Sequence, residues 1–217
     1  MTQPHSLADH WASQTVATNG VELTVWPKSL TVFPLSETPK MFQTRFPDCE
    51  HYHPELIGRL LDLERNPALT HRMPIGGSKI RDVRAWGCPA ADLVHQRAIA
   101  FFSLLMNKPD PTVDLGWANI SRRGEYLSPH SHDKSVGSVV YIVDPGDPDP
   151  ANPLSGRLSF ADPRIAGCCN REEGCVTMEV SPALEPGTMV IFPSQMVHFV
   201  HTYTGERPRI TLAWNLV

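Results

Sequence analysis

The period of the apolar positions changes partway along the chain. In "HPELIGRLLDLERNP" (53–67), Leu56, Leu60 and Leu63 recur at helical spacing and Pro54 sits near the first turn, which predicts a helix. A second helix is predicted in "PAADLVHQRAIAFFSLLMN" (89–107), where Pro89 opens the segment and Leu93, Ala100 and Leu104 build an apolar face. "VELTVWP" and "SLTVFPL" read as two short strands. Residues 1–20 read as loose, and "RMPIGGSKIRDVRAWG" reads as a loop with strand character.

After Pro111 the pattern becomes one of short strand candidates: "VDLGWANIS", "GEYLSPH", "VGSVVYIVD", "GRLSFAD", "CVTMEV", "TMVIFP", "VHFVHTY" and "RPRITLAWNLV". Turns such as "PGDPDPANP", "EPG" and "TGERP" separate them. Strands at this spacing predict a jelly roll or a related antiparallel barrel. The expected fold is mainly β with supporting N-terminal helices. No linker divides the chain, so residues 1–217 are expected to form a single domain. Residues 1–110 would be its helical and strand N-terminal layer, and 111–217 the core carrying the site.

Composition narrows this picture without redirecting it. The hydrophobic fraction is 41% and the charged fraction 19% over 217 residues, both near globular averages, so a folded chain is expected. The formal net charge of -4 gives no reason to expect nucleic-acid binding. No run approaches the ~18 apolar residues of a membrane span. "MTQPHSLADHW" lacks the regions of a signal peptide. The five cysteines are odd in number, and Cys168 and Cys169 are adjacent, which suits a reducing cytoplasm better than a disulfide framework. A metal site at Cys168, Cys169 and Cys175 would lack CxxC spacing, and free thiols are the simpler reading.

The candidate chemistry begins at "SPHSHDKS" (128–135). Residues i and i+2 of a strand share a face, so His130 and His132 can aim at one point while Asp133 points away unless a bulge turns it inward in place of His132. Two imidazoles suit a borderline divalent metal such as iron or zinc, and His198 in "FPSQMVHFVHTY" is available as a third ligand. The pair alone is a weak signal. A second one, "HYH" at 51–53, reads as loop and helix-start polarity, and the chain has ten histidines.

"RITLAWN" strengthens the signal. Arg209, Thr211, Ala213 and Asn215 share one face of a strand, and Ile210, Leu212 and Trp214 share the other. A guanidinium buried on that polar face needs an anion to offset its desolvation. A bound carboxylate, gripped bidentately, is one solution, and a salt bridge to an acid elsewhere in the chain is the other. Lys79, Arg81, Arg84, Arg122 and Arg123 read mostly as solvated charges, with an anion-facing role at the barrel mouth as the alternative. Trp86 and Trp117 read as core packing rather than pocket walls.

These pieces, in this order, resemble the 2-oxoglutarate and iron(II)-dependent oxygenases. More narrowly they resemble the small "putative 2OG-Fe(II) oxygenase" group of bacteria and phages. The matching segments are "WANI", "HSHDKSVGSVVYIV", "GRLSFADPR", "PGTMVIFPSQMVH" and "PRITLAWN". The resemblance implies a double-stranded β-helix with the cofactors Fe(II), 2-oxoglutarate and O2. It implies His130, His132 and His198 as metal ligands, with His132 where most of the superfamily has Asp or Glu. Arg209 with Thr211 would clamp 2-oxoglutarate, and Asn119 would contact its metal-side carboxylate. The implied reaction is hydroxylation of an unactivated C–H bond with release of succinate and CO2. The implied substrate is a small amino-acid-like molecule or a peptide side chain; no nucleic acid and no membrane are expected as partners. Two alternatives stand beside this reading. One is a cupin-like dioxygenase using three histidines without 2-oxoglutarate, and the other is a non-catalytic β-sandwich binding module.

Overall fold

The computed structural model describes residues 7–26, 31–34, 40–161, 169–170, 175–176, 179–182 and 185–217. The helices are α1 (Leu7–Ala12), α2 (His53–Glu64) and α3 (Pro89–Leu105), with 3-10 turns at Pro47–His51 and Val83–Ala85. The first strands are β1 (Thr15–Thr18), β2 (Val21–Thr24), β3 (Thr31–Pro34), β4 (Lys40–Arg45), β5 (Thr70–Met73) and β6 (Gly77–Arg81). The C-terminal half holds β7 (Val113–Ser121), β8 (Leu127–His130), β9 (Gly137–Asp144), β10 (Leu158–Ala161) and β11 (Cys169–Asn170). It ends with β12 (Cys175–Val176), β13 (Glu179–Val180), β14 (Thr188–Pro193), β15 (His198–Val200) and β16 (Arg209–Leu216).

Two antiparallel sheets make the jelly roll. The larger runs β3-β4-β14-β9-β16-β7-β6-β5 and the smaller β13-β10-β15-β8. The N-terminal half is thus more than a supporting helical layer. It extends both edges of the large sheet, through β3 and β4 on one side and β6 and β5 on the other.

Residues 7–20 are also more ordered than their composition predicts. Residues 7–12 are helical, and β1 and β2 form a hairpin in which Thr18 pairs with Val21. The turn is Asn19-Gly20, with φ of 49° and 75°. An Asn-Gly pair tolerates two successive positive φ values, which is what a two-residue hairpin turn demands.

Strand alternation divides the apolar residues between two cores. Ile210, Leu212 and Trp214 of β16 join Ile120 and Val139 on one face of the large sheet and pack against Leu56, Leu60, Leu93 and Phe101 of α2 and α3. Met41, Leu158, Phe160, Val190, Phe192 and Val200 fill the space between the sheets. Each fully buried large side chain contributes about 1.5–3 kcal/mol relative to exposure. The helix-side face of β16 is therefore fixed by packing, and Arg209, Thr211 and Ala213 must face the second sheet.

The "HYH" segment is not simple surface polarity. His51 is exposed, but His53 is buried, and its Nε2 lies 2.7 Å from the Tyr141 hydroxyl. The Tyr141 and Tyr52 hydroxyls are 2.6 Å apart. Arg97, fully buried, donates to Tyr52 at 3.0 Å and to Asp48 Oδ2 at 2.6 Å. This mesh ties both long helices to β9. Burial is the main cause that pushes the His53 imidazole down to about 4, so it is neutral at physiological pH.

Cys49 and Cys88 are buried free thiols. The Cys168, Cys169 and Cys175 reading lies outside the described side chains. Among the described residues, no helix is long and apolar enough to cross a membrane.

Candidate active site

β8 and β15 are neighbours in the small sheet, and their register sets His130 directly opposite His198. β8 ends at His130, so the two histidines of "HSH" do not share a strand. His132 lies just past the strand end, where its backbone N–H donates to the Ser194 carbonyl at 2.8 Å. Its imidazole still reaches the same cavity as the other two. Convergence therefore comes from this anchored bend rather than from strand alternation.

Ring centroids are 4.3 Å apart for His130–His198, 5.2 Å for His132–His198 and 5.3 Å for His130–His132. One ring nitrogen from each lies within 4.8 Å of the others. Asp133 is exposed and outside this group. The His130 Nδ1–H donates to the Ser128 carbonyl at 2.7 Å, and the His198 Nδ1–H donates to the Met196 carbonyl at 2.9 Å. A carbonyl only accepts, so both rings carry a proton on Nδ1, which turns Nε2 towards the cavity as the atom available to a metal. Burial pushes His198 down to about 4. It also lowers His132, helped by the nearby His130 and Lys79. Neutral imidazoles are the form that binds a divalent metal.

The histidines line one part of a cavity of about 470 Å³ between the sheets. β16 and β7 supply its floor, with Arg209 opposite Ser121, Thr211 opposite Asn119 and Ala213 opposite Trp117. Arg209 is 2% exposed, and its Nε has no hydrogen-bond partner. Burial lowers its pKa to about 10, so it stays charged at neutral pH. The salt-bridge alternative is not realised: among the described residues no carboxylate pairs with Arg209, and none lines the cavity. An unpaired buried guanidinium is costly, and a bound carboxylate would relieve it. Three imidazoles beside that guanidinium fit a divalent metal together with an anionic chelator.

Asn119 Oδ1 accepts the Trp117 Nε1–H at 3.1 Å, which leaves the amide N–H groups for another acceptor. Asn215 does not line the cavity; its Oδ1 accepts the Ser138 hydroxyl at 2.9 Å.

The five basic residues separate cleanly. Arg122 forms a bidentate pair with Glu64 at 2.6 and 2.7 Å, and Arg123 pairs with Glu206 at 2.9 Å. Arg81 and Arg84 line a different cleft beside His95. Lys79 alone of the five reaches the cavity, with Nζ 3.9 Å from the centroid of the Trp117 ring. Trp86 is fully buried in the helix-side core, as expected. Trp117 is instead a cavity wall, because it lies on the same face of β7 as Asn119.

The mouth was not legible in the sequence. Ile75 and Tyr126 line it at 46% and 37% exposure, joined by the Tyr126 N–H donating to the Ile75 carbonyl at 3.1 Å. The sole hint was an isoleucine in the turn sequence "PIGG".

Residues 116–215 match the family model described as "Putative 2OG-Fe(II) oxygenase". That span contains Asn119, the three histidines, Arg209 and Thr211. No curated protein matches the sequence. Among solved structures, the non-heme alpha-ketoglutarate-dependent epimerase SnoN of nogalamycin biosynthesis is similar, with TM-score 0.60 and 11% identity over 81% of this chain and 77% of that one. A Pseudomonas putida prolyl-4-hydroxylase gives TM-score 0.55 and 14% identity over 81% and 91% of the two chains. HygX from Streptomyces hygroscopicus, with nickel and 2-oxoglutarate bound, gives 0.57 and 12% over 81% of each. At these identities the likeness is one of fold.

Proposed function

We propose that this enzyme, whose residues 116–215 match the 2OG-Fe(II) oxygenase family that uses Fe(II), 2-oxoglutarate and O2, hydroxylates an unactivated C–H bond of a small amino-acid-like molecule or peptide side chain. His130, His132 and His198 are assigned to the metal. Arg209 and Thr211 are assigned to the far carboxylate of 2-oxoglutarate, and Asn119 to its metal-side carboxylate. The observation that carries these assignments is one cavity holding three converging imidazoles and an unpaired buried guanidinium.

When bound, Fe(II) and 2-oxoglutarate supply the oxidising chemistry, in which O2 is consumed, the keto acid becomes succinate and CO2, and one substrate C–H bond is oxidised. The protein's own part is positioning. The Ser128 and Met196 carbonyls fix the His130 and His198 rings through Nδ1 and orient Nε2 as donor. Arg209 offers a planar fork to a carboxylate, and its burial makes that grip strong. Trp117 holds the Asn119 amide in one orientation. Val140, Leu158 and Val200 exclude water from the same space. Among the described residues the cavity lining contains no carboxylate.

SnoN is an epimerase and the Pseudomonas putida neighbour a prolyl-4-hydroxylase, so the test must identify the product as well as turnover. Succinate release would be followed with Fe(II), 2-oxoglutarate and candidate substrates, and the product weighed for one added oxygen atom. Substrate-dependent succinate that disappears in Arg209→Ala and His198→Ala is expected. Turnover retained in both variants would contradict the assignment.

A further inference from the structure

The geometry points to a second anion site in this cavity, built on Lys79, and we propose that the substrate carries a carboxylate that Lys79 reads. This deepens the function proposed above and rests on it. Lys79 pairs with Asn119 across β6 and β7, and Asn119 pairs with Thr211 across β7 and β16. The three residues therefore form one cross-strand row, with Lys79 about 10 Å from the Thr211 position at ordinary strand spacing. Along β7, Arg209 is opposite Ser121, on one side of Asn119. The Lys79 ammonium leans the other way, over Trp117, two residues before Asn119. The two cations thus address separate places.

Charge balance asks for a second anion. Three histidines bring no negative charge to the metal, and among the described residues no Asp or Glu lines the cavity. With Fe(II) and the 2-oxoglutarate dianion both bound and Arg209 paired with the far carboxylate, the site keeps a net positive charge, and Lys79 is the cation left without an anion. Lys79 has no acidic partner among the described residues. The Trp117 face holds its ammonium by a cation–π contact without neutralising it. Beyond Lys79 the wall is apolar, through Met73, Ile75, Tyr126 and Leu127. A charged head and an apolar body describe the chemistry that fits: a small carboxylate with a hydrocarbon or aromatic portion.

The test uses anaerobic protein loaded with Fe(II) and 2-oxoglutarate and a panel of matched probes, each carboxylate beside its carboxamide, on aryl and alkyl bodies such as 3-phenylpropionate. Binding is read by calorimetry and by the shift each probe causes in the visible band of the loaded centre. At least one carboxylate is expected to bind tenfold or more tightly than its amide. Lys79→Met should abolish that preference and Lys79→Arg should restore it, both with the unprobed band unchanged. A panel in which carboxylates bind no better than amides would overturn the proposal, as would a preference that survives in Lys79→Met. Loss of the unprobed band in Lys79→Met would also overturn it, by placing Lys79 on 2-oxoglutarate. Absence of the band in the unmutated protein would instead count against the underlying function.

Discussion

His130 and His198 face each other across the β8–β15 ladder, and their rings stand 4.3 Å apart. Two residues separated by most of the C-terminal half are brought to a single point by one strand pairing. Both rings are locked by a backbone carbonyl two residues earlier in the chain. A metal site needs this doubling, because an imidazole free to rotate does not hold its lone pair on target.

Removing a ligand should therefore be far worse than removing the neighbouring carboxylate. His198→Ala is expected to lose more metal affinity than the ~10–100-fold that follows loss of a supporting partner. Asp133→Asn, at an exposed position outside the histidine group, is expected to bind metal as the unmutated protein does. Fe(II) or Co(II) titration under anaerobic conditions measures both.

Arg209 should reveal itself by opposite effects on stability and on cofactor. Its buried, unpaired charge works against folding, so Arg209→Met is expected to unfold at the same or a higher temperature without ligands. In metal-loaded unmutated protein, 2-oxoglutarate at one hundred times its dissociation constant should add about 2.7 kcal/mol of stability. In Arg209→Met that gain should vanish. Thermal melts with and without 2-oxoglutarate decide it.

Gly156 guards the same arginine. Its φ is +63°, and an added Cβ would lie 2.9 Å from Arg209 Cδ and 3.0 Å from Tyr203 Cδ2. Gly156→Ala is expected to cost about 1–2 kcal/mol from the left-handed backbone alone. Because it also pushes on Arg209, it should weaken 2-oxoglutarate binding, which a melt alone would miss and calorimetry would detect.

The buried His53 predicts an acid-side loss of stability. Burial holds its pKa at about 4, whereas the unfolded chain takes up the proton near ~6.5. Stability from the neutral, buried ring is thus complete above ~6.5 and declines as the pH falls towards 4, by roughly 3 kcal/mol at most. His53→Gln, which cannot titrate, should show a flatter slope over that window. Chemical denaturation of both proteins at neutral pH and near pH 4.5 compares them.

The β16 alternation shows why part of the site was readable. Ile210, Leu212 and Trp214 had to face the helices, so Arg209 and Thr211 had to face the cavity, and period-2 patterning alone fixed this. His132 shows the limit of the same rule. It converges because of a hydrogen bond to Ser194, a partner distant in sequence that no local pattern encodes. Arg122 and Lys79 show another limit. Both are cations near aromatic or apolar runs, yet Glu64 neutralises one and, among the described residues, no acid meets the other. That difference depends on which strands lie side by side. His53 does start a helix as expected, but its burial escaped the same kind of reading, since Tyr141, the residue that satisfies it, lies on β9.

Anaerobic titration of the purified protein with Fe(II) and then 2-oxoglutarate tests the joint site most directly. A weak visible absorption band that requires both components is expected, absent in His198→Ala and shifted to much higher 2-oxoglutarate concentration in Arg209→Ala. A band or turnover that forms without the keto acid would contradict this and favour a cupin-like dioxygenase. No metal uptake at all would contradict it in favour of a binding module.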